Sequence, residues 1–476
     1  MPLLARLDET LQIESPRLTP RVAPLMSSLI GVGAVLLFVA LVAQVFFRDG
    51  IGGWAVGLVY IAYDTFLLGF TAWHMRTILR RATPDPLAPR VTLGVIIAAH
   101  DEAAALPVTI DALMRQTDRP DLIVVADDGS TDGTAAMLGV RYGLIPNVTS
   151  QVEGAPAFLW LALDHGGKAR ALNAAVQRVD ADVVLTVDAD TLIEEHAIAA
   201  MRAHFASDPA LVAATGVLTP VCGVGAQARF FEWFQRYEYI RNFISRYAWM
   251  QLNSLLLISG AFAAFRREAL IAVGGFDPVC LVEDYELIHR LHRHSVDHSL
   301  GWHVAVIGEA QARTDAPQTL PTFLRQRRRW FAGFLQTQRW NRDMTGNARF
   351  GWLGTAMMPV KALDTLQPIY GLTAFAILIV LLAMGRFAVA LPILLVMLAK
   401  IIIDMSFHLW SLGIYRRWTG SARSTGWVKA ICAALLEPFS FQLLRHAGAA
   451  WGWWTFLTGQ HSWGRQSRRG IVAQGE

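Results

Sequence analysis

The stretch DVVLTVDAD, Asp182–Asp190, decides the fold. Its Val183–Val187 centre is a short, nearly continuous apolar run, which reads as a strand buried on both faces. Two carboxylates follow at once, Asp188 and Asp190, and residues two apart on an extended segment face the same side. Carboxylates so placed can share a hard cation that also holds phosphate oxygens. The plainer reading is a hydrophilic loop with an Asx turn, since D-x-D alone is common.

Working outward, Val91–Ala99, Leu122–Ala126, Phe158–Leu163 and Val212–Val217 read as further strands. Ala103–Gln116, a segment from Thr134 and Ala169–Val179 have helical spacing between them. This alternation is the doubly wound α/β pattern, whose ligands bind beyond the carboxyl ends of the strands. The acidic loops lie there. Asp127 and Asp128 open the loop DDGSTDG after the second strand, where they suit a nucleobase, a ribose or a metal, or equally a tight turn with an N-cap.

The flanks have another texture. Of the 476 residues 54% are hydrophobic and only 17% charged, with a mean hydropathy of +0.36. An ordinary soluble domain carries about a quarter charged residues, so disorder, collagen and a small disulfide scaffold are excluded, and the composition argues against one fully soluble domain. A net charge of +4 gives no sign of nucleic-acid binding. Cys222, Cys280 and Cys432 lie far apart without zinc-ligand spacing, as in a reducing compartment. Leu25–Phe47 and Ile51–Trp73 are long enough to cross a bilayer and form a hairpin, and hydrophobicity returns at Pro368–Met384 and Phe387–Leu412 near the other end. Trp427–Leu444 is interrupted by Glu437 and Pro438. Four full spans are expected, with Trp427–Leu444 broken, re-entrant or interfacial; five is the alternative. Arginines 6, 17, 21, 76, 80 and 81 around the first hairpin, and 465, 468 and 469 in the tail, place both termini and the middle domain in the cytoplasm.

Other groups carry chemistry. Glu283-Asp284 opens the helix EDYELIHRLHRH, where a carboxylate is favoured as the anion and suits a general base, though helix capping alone prefers it too. Histidines 289, 292, 294, 298 and 303 show no zinc spacing and read as surface residues. Gly166-Gly167-Lys168 offers a cation and backbone amides to phosphate without being a P-loop. Leu320–Gln338 clusters four arginines with Trp330, Phe331 and Phe334, suited to a diphosphate and a sugar face, or to a membrane interface. Lys400, Asp404 and His408 share one face of a membrane span, where they suit either a polar conduit lining or an internal ion pair.

DDGS (127–130), GGKARALN (166–173), DAD (188–190), SGAFAAFRREAL (259–270), VED (282–284) and QRRRW (326–330) together resemble membrane-embedded family 2 glycosyltransferases, the synthases of cellulose, chitin, hyaluronan and poly-N-acetylglucosamine. The bacterial poly-N-acetylglucosamine synthases are the most similar group. The resemblance implies a GT-A-like α/β domain inserted between transmembrane helices. It implies a UDP-sugar donor, N-acetylglucosamine being the preferred sugar, with Glu102, Asp127 and Asp128 at the uridine and Lys168 near the diphosphate. Asp188 and Asp190 would hold Mg²⁺ or Mn²⁺, and Asp284 would be the base. Gln326, Arg329, Trp330, Glu283, Gly260 and Phe262 would line the acceptor and diphosphate. The tail HSWGR is similar to an element of hyaluronan and chitin synthases, which makes Trp463 a gate.

The implied layout is a cytoplasmic segment 1–24, a membrane hairpin 25–76, the GT-A domain 77–318, interfacial helices 319–366, a membrane block 367–458 and a basic tail 459–476. The expected reaction is elongation of a β-linked polysaccharide, coupled to its passage across the cell membrane. Its partners are a carbohydrate or lipid acceptor, membrane lipid and a small accessory membrane subunit. The rivals are transfer of one sugar to a lipid, and an inactive transferase-like transporter or scaffold. VED where TED is commonest, and AHDEAA where an N-E pair is usual, depart from the family pattern.

Overall fold

The computed structural model describes residues 3–48, 50–80, 84–420 and 426–459, without the side chains of residues 79 and 80. Trp463 and the tail arginines lie outside the described residues. The chain opens with α1 (Leu3–Glu14) and a hairpin of α2 (Leu25–Phe47) and α3 (Ala55–His74). The α/β domain runs through β1 (Leu93–Ala99), α4 (Leu106–Met114), β2 (Leu122–Asp128), α5 (Thr134–Tyr142), β3 (Thr149–Ser150) and β4 (Ala157–Leu163). Then come α6 (Lys168–Val176), β5 (Val183–Asp188), β6 (Thr191–Ile193), α7 (Ala197–Ser207), β7 (Leu211–Val221), α8 (Ala226–Met250) and β8 (Phe262–Arg266). After α9 (Arg267–Ala272), α10 (Glu283–His298), β9 (His303–Asp315) and α11 (Leu320–Trp340), the chain ends in α12 (Met358–Ala383), α13 (Phe387–Thr419), α14 (Trp427–Leu436) and α15 (Phe441–Thr458).

The strands form one nine-stranded sheet in the order β3-β4-β2-β1-β5-β8-β7-β9-β6. β4, β2, β1 and β5 are parallel, and Val95, Ile96, Ile97, Val183, Val184 and Leu185 are fully buried, as continuous apolar strands covered on both faces require. The second half departs from the doubly wound expectation: β8 runs antiparallel between β5 and β7, and β6 antiparallel to β9. The sheet is therefore mixed. β9 escapes a reading by apolar runs because its sequence, HVAVIGEAQARTD, mixes charge with small residues.

Two helices bring the chemistry to the sheet. In α10, Glu286 and Arg290 are fully buried and paired at 2.6 Å, with Arg290 also donating to the carbonyls of Val273 and Gly275. Arg293 is held by Asp343 at 2.5 Å and by Asn341 at 2.8 Å. The helix is thus anchored all round, and its N-terminus is fixed. In α11, Thr319 forms a capping box with Thr322. α15 packs close along α11 because it has no side chain at two contacts: a Cβ on Gly448 would lie 2.6 Å from Arg327 Cβ, and one on Gly452 2.6 Å from Phe331 Cβ.

α1 lies on the α/β domain, with Leu7 and Leu11 buried and Arg17 paired to Asp277 at 2.9 Å. The segment before the first hairpin is therefore on the same side of that hairpin as the domain. Four helical stretches, 25–47, 50–78, 353–383 and 387–419, are long and apolar enough to cross a membrane. α14 and α15, broken at Glu437–Phe439 and bent by 46°, make a fifth if counted together. The first C-terminal stretch begins earlier than its apolar run, so the expected boundary at residue 366 falls inside α12.

Removing one partner of a buried ion pair costs about 3–5 kcal/mol. Glu286→Ala is accordingly expected to destabilise the protein by that amount in a denaturant titration, whereas Glu9→Ala on α1 changes the midpoint little.

Candidate active site

Asp188 ends β5 at the middle of the sheet. Ala189 and Asp190 then turn into β6 instead of continuing the strand, so the extended D-x-D expected from sequence is a strand end followed by a turn. β6 must turn back to pair with β9, and the Asp315 amide donates to the Asp190 carbonyl at 3.2 Å. Asp190 is buried, and burial, with the negative charges of Asp188 and Asp315, pushes its pKa well above the usual carboxylate range. The charges of these three carboxylates repel one another, most at Asp190, the one that is buried. Their oxygen donors suit a hard divalent cation such as Mg²⁺ or Mn²⁺. Asp315 was not singled out from sequence; its position as the last residue of β9 is the signal that marks it.

Lys168 is the cation the chain itself supplies. Its Nζ lies 2.7 Å from Asp188 Oδ1 and 3.4 Å from Glu283 Oε1. Burial works against its charge, but Asp188 and Glu283 outweigh burial and hold its pKa above the ordinary value. The residue expected beside a diphosphate therefore bridges β5 and the start of α10.

The glycine amides expected to face phosphate are also engaged. Gly166 and Gly167 donate to the two carboxylate oxygens of Asp128 at 2.7 and 2.9 Å. Asp128 is buried and needs such partners. Asp127 accepts from Ser130 N–H at 3.0 Å and from Trp160 Nε1 at 3.2 Å. Glu102 is buried beside them, its amide donating to Thr134 Oγ1 at 3.1 Å. Gly129 has φ +67°, and a Cβ there would sit 2.7 Å from the His165 backbone nitrogen, so the turn requires glycine. His100 and His165 stack at the edge of this group, 4.3 Å apart.

Asp284 is fixed at the N-terminus of α10. Its Oδ2 accepts from Gly260 N–H at 2.7 Å and its Oδ1 from Tyr285 N–H at 2.8 Å. A Cβ on Gly260 would fall 3.0 Å from Oδ2, which is why this approach needs a glycine. Burial and the adjacent Glu283 raise the Asp284 pKa, while Lys168 and the two amides oppose the rise. Phe262 is a correction: its ring is fully buried against Gly216, so it is core and offers no surface to an acceptor.

On α11, Gln326 is buried and its Oε1 has no hydrogen-bond partner among the described residues. Arg329 donates to Leu281 O at 3.1 Å. Arg327 stacks over Trp330 at 4.6 Å and is gripped by Glu238 at 2.8 and 2.6 Å. Glu238 was not foreseen, nor was Arg246 on the same helix. The Arg246 Nε and Nη1 are buried without partners among the described residues, and burial lowers its pKa to about 10, with Tyr239 and Asp284 opposing the shift. Neither residue stands in a recognisable motif.

His289 and His292 also correct the sequence reading, since both are buried, bonded to the carbonyls of Tyr285 and Leu255 at 2.8 and 2.9 Å. Lys400 is buried and paired with Asp404 and, at 2.6 Å, with Asp64 of α3. His408 packs edge-on to Tyr237 at 4.6 Å.

A central D-x-D beside a helix-borne carboxylate, on a mixed sheet of this kind, defines the GT-A class of transferase folds. Residues 183–397 match the model of the glycosyl transferase family group 2. The chain is 26% identical over 283 residues to a poly-beta-1,6-N-acetyl-D-glucosamine synthase of Staphylococcus aureus, covering 59% of this chain and 61% of that one. It is 27% identical over 286 residues to a beta-monoglucosyldiacylglycerol synthase of Synechocystis, covering 55% and 54%. The chain thus spans little more than half the length of these relatives. A mannosyltransferase of Pyrobaculum calidifontis, solved with GDP-Man and Mn²⁺, shares the fold with a TM-score of 0.52 and 22% identity, over 81% of this chain and 99% of that one.

Two predictions follow from the charges. A base with a raised pKa loses activity as pH falls through that pKa, so the acid limb of kcat/KM lies above the ordinary carboxylate value of about 4. Glu283→Gln removes the neighbouring negative charge and is expected to move that limb to lower pH. For Asp190 the sign is likewise set by its raised pKa: the buried charge beside Asp188 and Asp315 costs stability as pH rises above the unfolded value. Asp190→Asn should therefore raise the melting temperature of the metal-free protein at neutral pH while abolishing transfer.

Proposed function

We propose that this protein is an inverting, metal-dependent membrane glycosyltransferase that uses UDP-N-acetylglucosamine to elongate a β-linked polysaccharide. The observation that carries the reading is the continuous line from Asp284 and Glu283 through Lys168 to Asp188 and Asp190. Along it a carboxylate with a raised pKa lies on one side of a lysine, and the carboxylates of Asp188 and Asp190 lie on the other. Support comes from the family match, the poly-N-acetylglucosamine synthase relative and the Mn²⁺-bound neighbour of the same fold.

In this reading Asp127, Asp128 and Glu102 form the wall against which uridine is placed. Asp188 and Asp190, with Asp315 beside them, hold Mg²⁺ or Mn²⁺, which when bound supplies charge neutralisation to the leaving diphosphate. Lys168 adds a fixed positive charge on the same side. Asp284 accepts the proton of the acceptor hydroxyl as that oxygen attacks the anomeric carbon opposite UDP, and the two backbone N–H groups keep the carboxylate aimed. Gln326, Arg329 and Trp330 receive the diphosphate and the terminal sugar of the acceptor, with Arg327 and Glu238 setting the ring of Trp330. The catalytic domain faces the cytoplasm, and the growing chain leaves across the membrane block.

A second reading, transfer of one sugar to a lipid, is favoured by the glycolipid synthase relative and by the engagement of Lys400 and His408 with Asp64 and Tyr237. Product length separates the two. Purified protein with labelled UDP-N-acetylglucosamine and Mn²⁺ is expected to give polymer, and a single-sugar lipid would overturn the processive reading. Asp284→Asn should lower kcat by at least about 100-fold, the lower end for loss of a general base, with donor KM little changed.

A further inference from the structure

We propose that Glu14, His294 and His298 form a transition-metal site, of the zinc class, that fastens α1 to the far end of α10. His294 and His298 stand one turn apart on α10, the i, i+4 spacing at which two imidazoles on one helix face chelate one ion. Their rings lie 4.2 Å apart. Glu14, the last residue of α1, brings Oε1 to 3.1 Å from His294 Nδ1. One ligand atom from each of the three residues lies within 4.8 Å of the others. Zinc with bonds of about 2.0–2.1 Å in a tetrahedron sets its ligand atoms roughly 3.4 Å apart, so small side-chain shifts complete the site.

The surroundings agree. Two imidazoles and a carboxylate are a donor set for zinc and its neighbours in the first transition row rather than for Mg²⁺ or Ca²⁺. Glu14 and His294 are mostly buried, with side chains 14% exposed, while His298 opens to solvent, leaving room for a water as fourth ligand. Trp302 stacks on His294 at 5.3 Å and limits its rotation. His298 closes α10, where the helix dipole favours a positive ion. The adjacent Asp297 takes up the nearby cations Arg21 and Arg349 at 2.6 and 2.9 Å. Sequence spacing hid the site because its carboxylate is 280 positions away from His294. The other such group among the described residues, His100, Asp128 and His165, is less suited, since both Asp128 oxygens already accept from Gly166 and Gly167. No catalytic residue takes part, so the metal here is structural.

The test uses the full-length protein in detergent, stripped with chelator, reloaded with Zn²⁺ and desalted, with metal content and melting temperature measured. Wild type is expected to retain about one Zn²⁺ per chain that raises the melting temperature, and Co²⁺ in its place should give the visible bands of a tetrahedral centre. His298→Ala, at the exposed ligand, should lose that ion or weaken it more than about tenfold, by at least as much as loss of an outer-shell partner. Asp190→Asn should keep it. Zinc absent from wild type, zinc retained equally by His298→Ala, or a Co²⁺ spectrum unchanged in that variant would overturn the site.

Discussion

The ammonium of Lys168, set between Asp188 and Glu283, is the interaction on which the site depends. It joins the first residue of α6 to the end of β5 and the start of α10, elements far apart in sequence and brought together by the sheet. Without that positive charge, Asp188, Asp190, Asp315, Glu283 and Asp284 would confront one another in a place too dry to screen them. Even with it, Asp190 and Asp284 keep raised pKa values. The fold therefore stores a deficit of positive charge at the point where a nucleotide diphosphate and its metal are proposed to bind. That deficit costs stability and prepares the site for its ligands.

The domain is tied to its membrane block by a second set of charges. Glu238 on α8 grips Arg327 of α11 and also meets Arg445 of α15 at 3.2 Å. Arg445 and Arg241 both reach Glu437, at the break between α14 and α15. The helix that carries Gln326, Arg329 and Trp330 is thus bound electrostatically to the bend in the last helix pair. Because α15 fits α11 through Gly448 and Gly452, the two helices are held together by packing as well as charge.

Much of this was legible in sequence because buried parallel strands announce themselves. Leu122–Asp128 and Val183–Asp188 are apolar runs ending in acid, Leu93–Ala99 is an apolar run followed by His100 and Asp101, and the loops beyond them hold further carboxylates. The position of Asp284 at a helix start was legible in the same way. What sequence could not show is pairing across the fold. Lys168 was assigned to a phosphate, yet its nearest charges are Asp188 and Glu283. The glycine amides were assigned likewise, yet the buried Asp128 carboxylate takes them. Phe262 stood within a recognisable motif, but strand alternation turns its ring into the core. Asp315, Glu238 and Arg246 act through neighbours distant in the chain, where local patterns carry no information.

The central claim is that the carboxylate set is completed by a divalent cation together with a nucleotide diphosphate. Calorimetric titration of UDP into the purified protein, with Mn²⁺ and with chelator, tests it most directly. The account predicts measurable UDP binding only with Mn²⁺, and its loss in Asp188→Asn. Equal UDP affinity with Mn²⁺ and with chelator would contradict it.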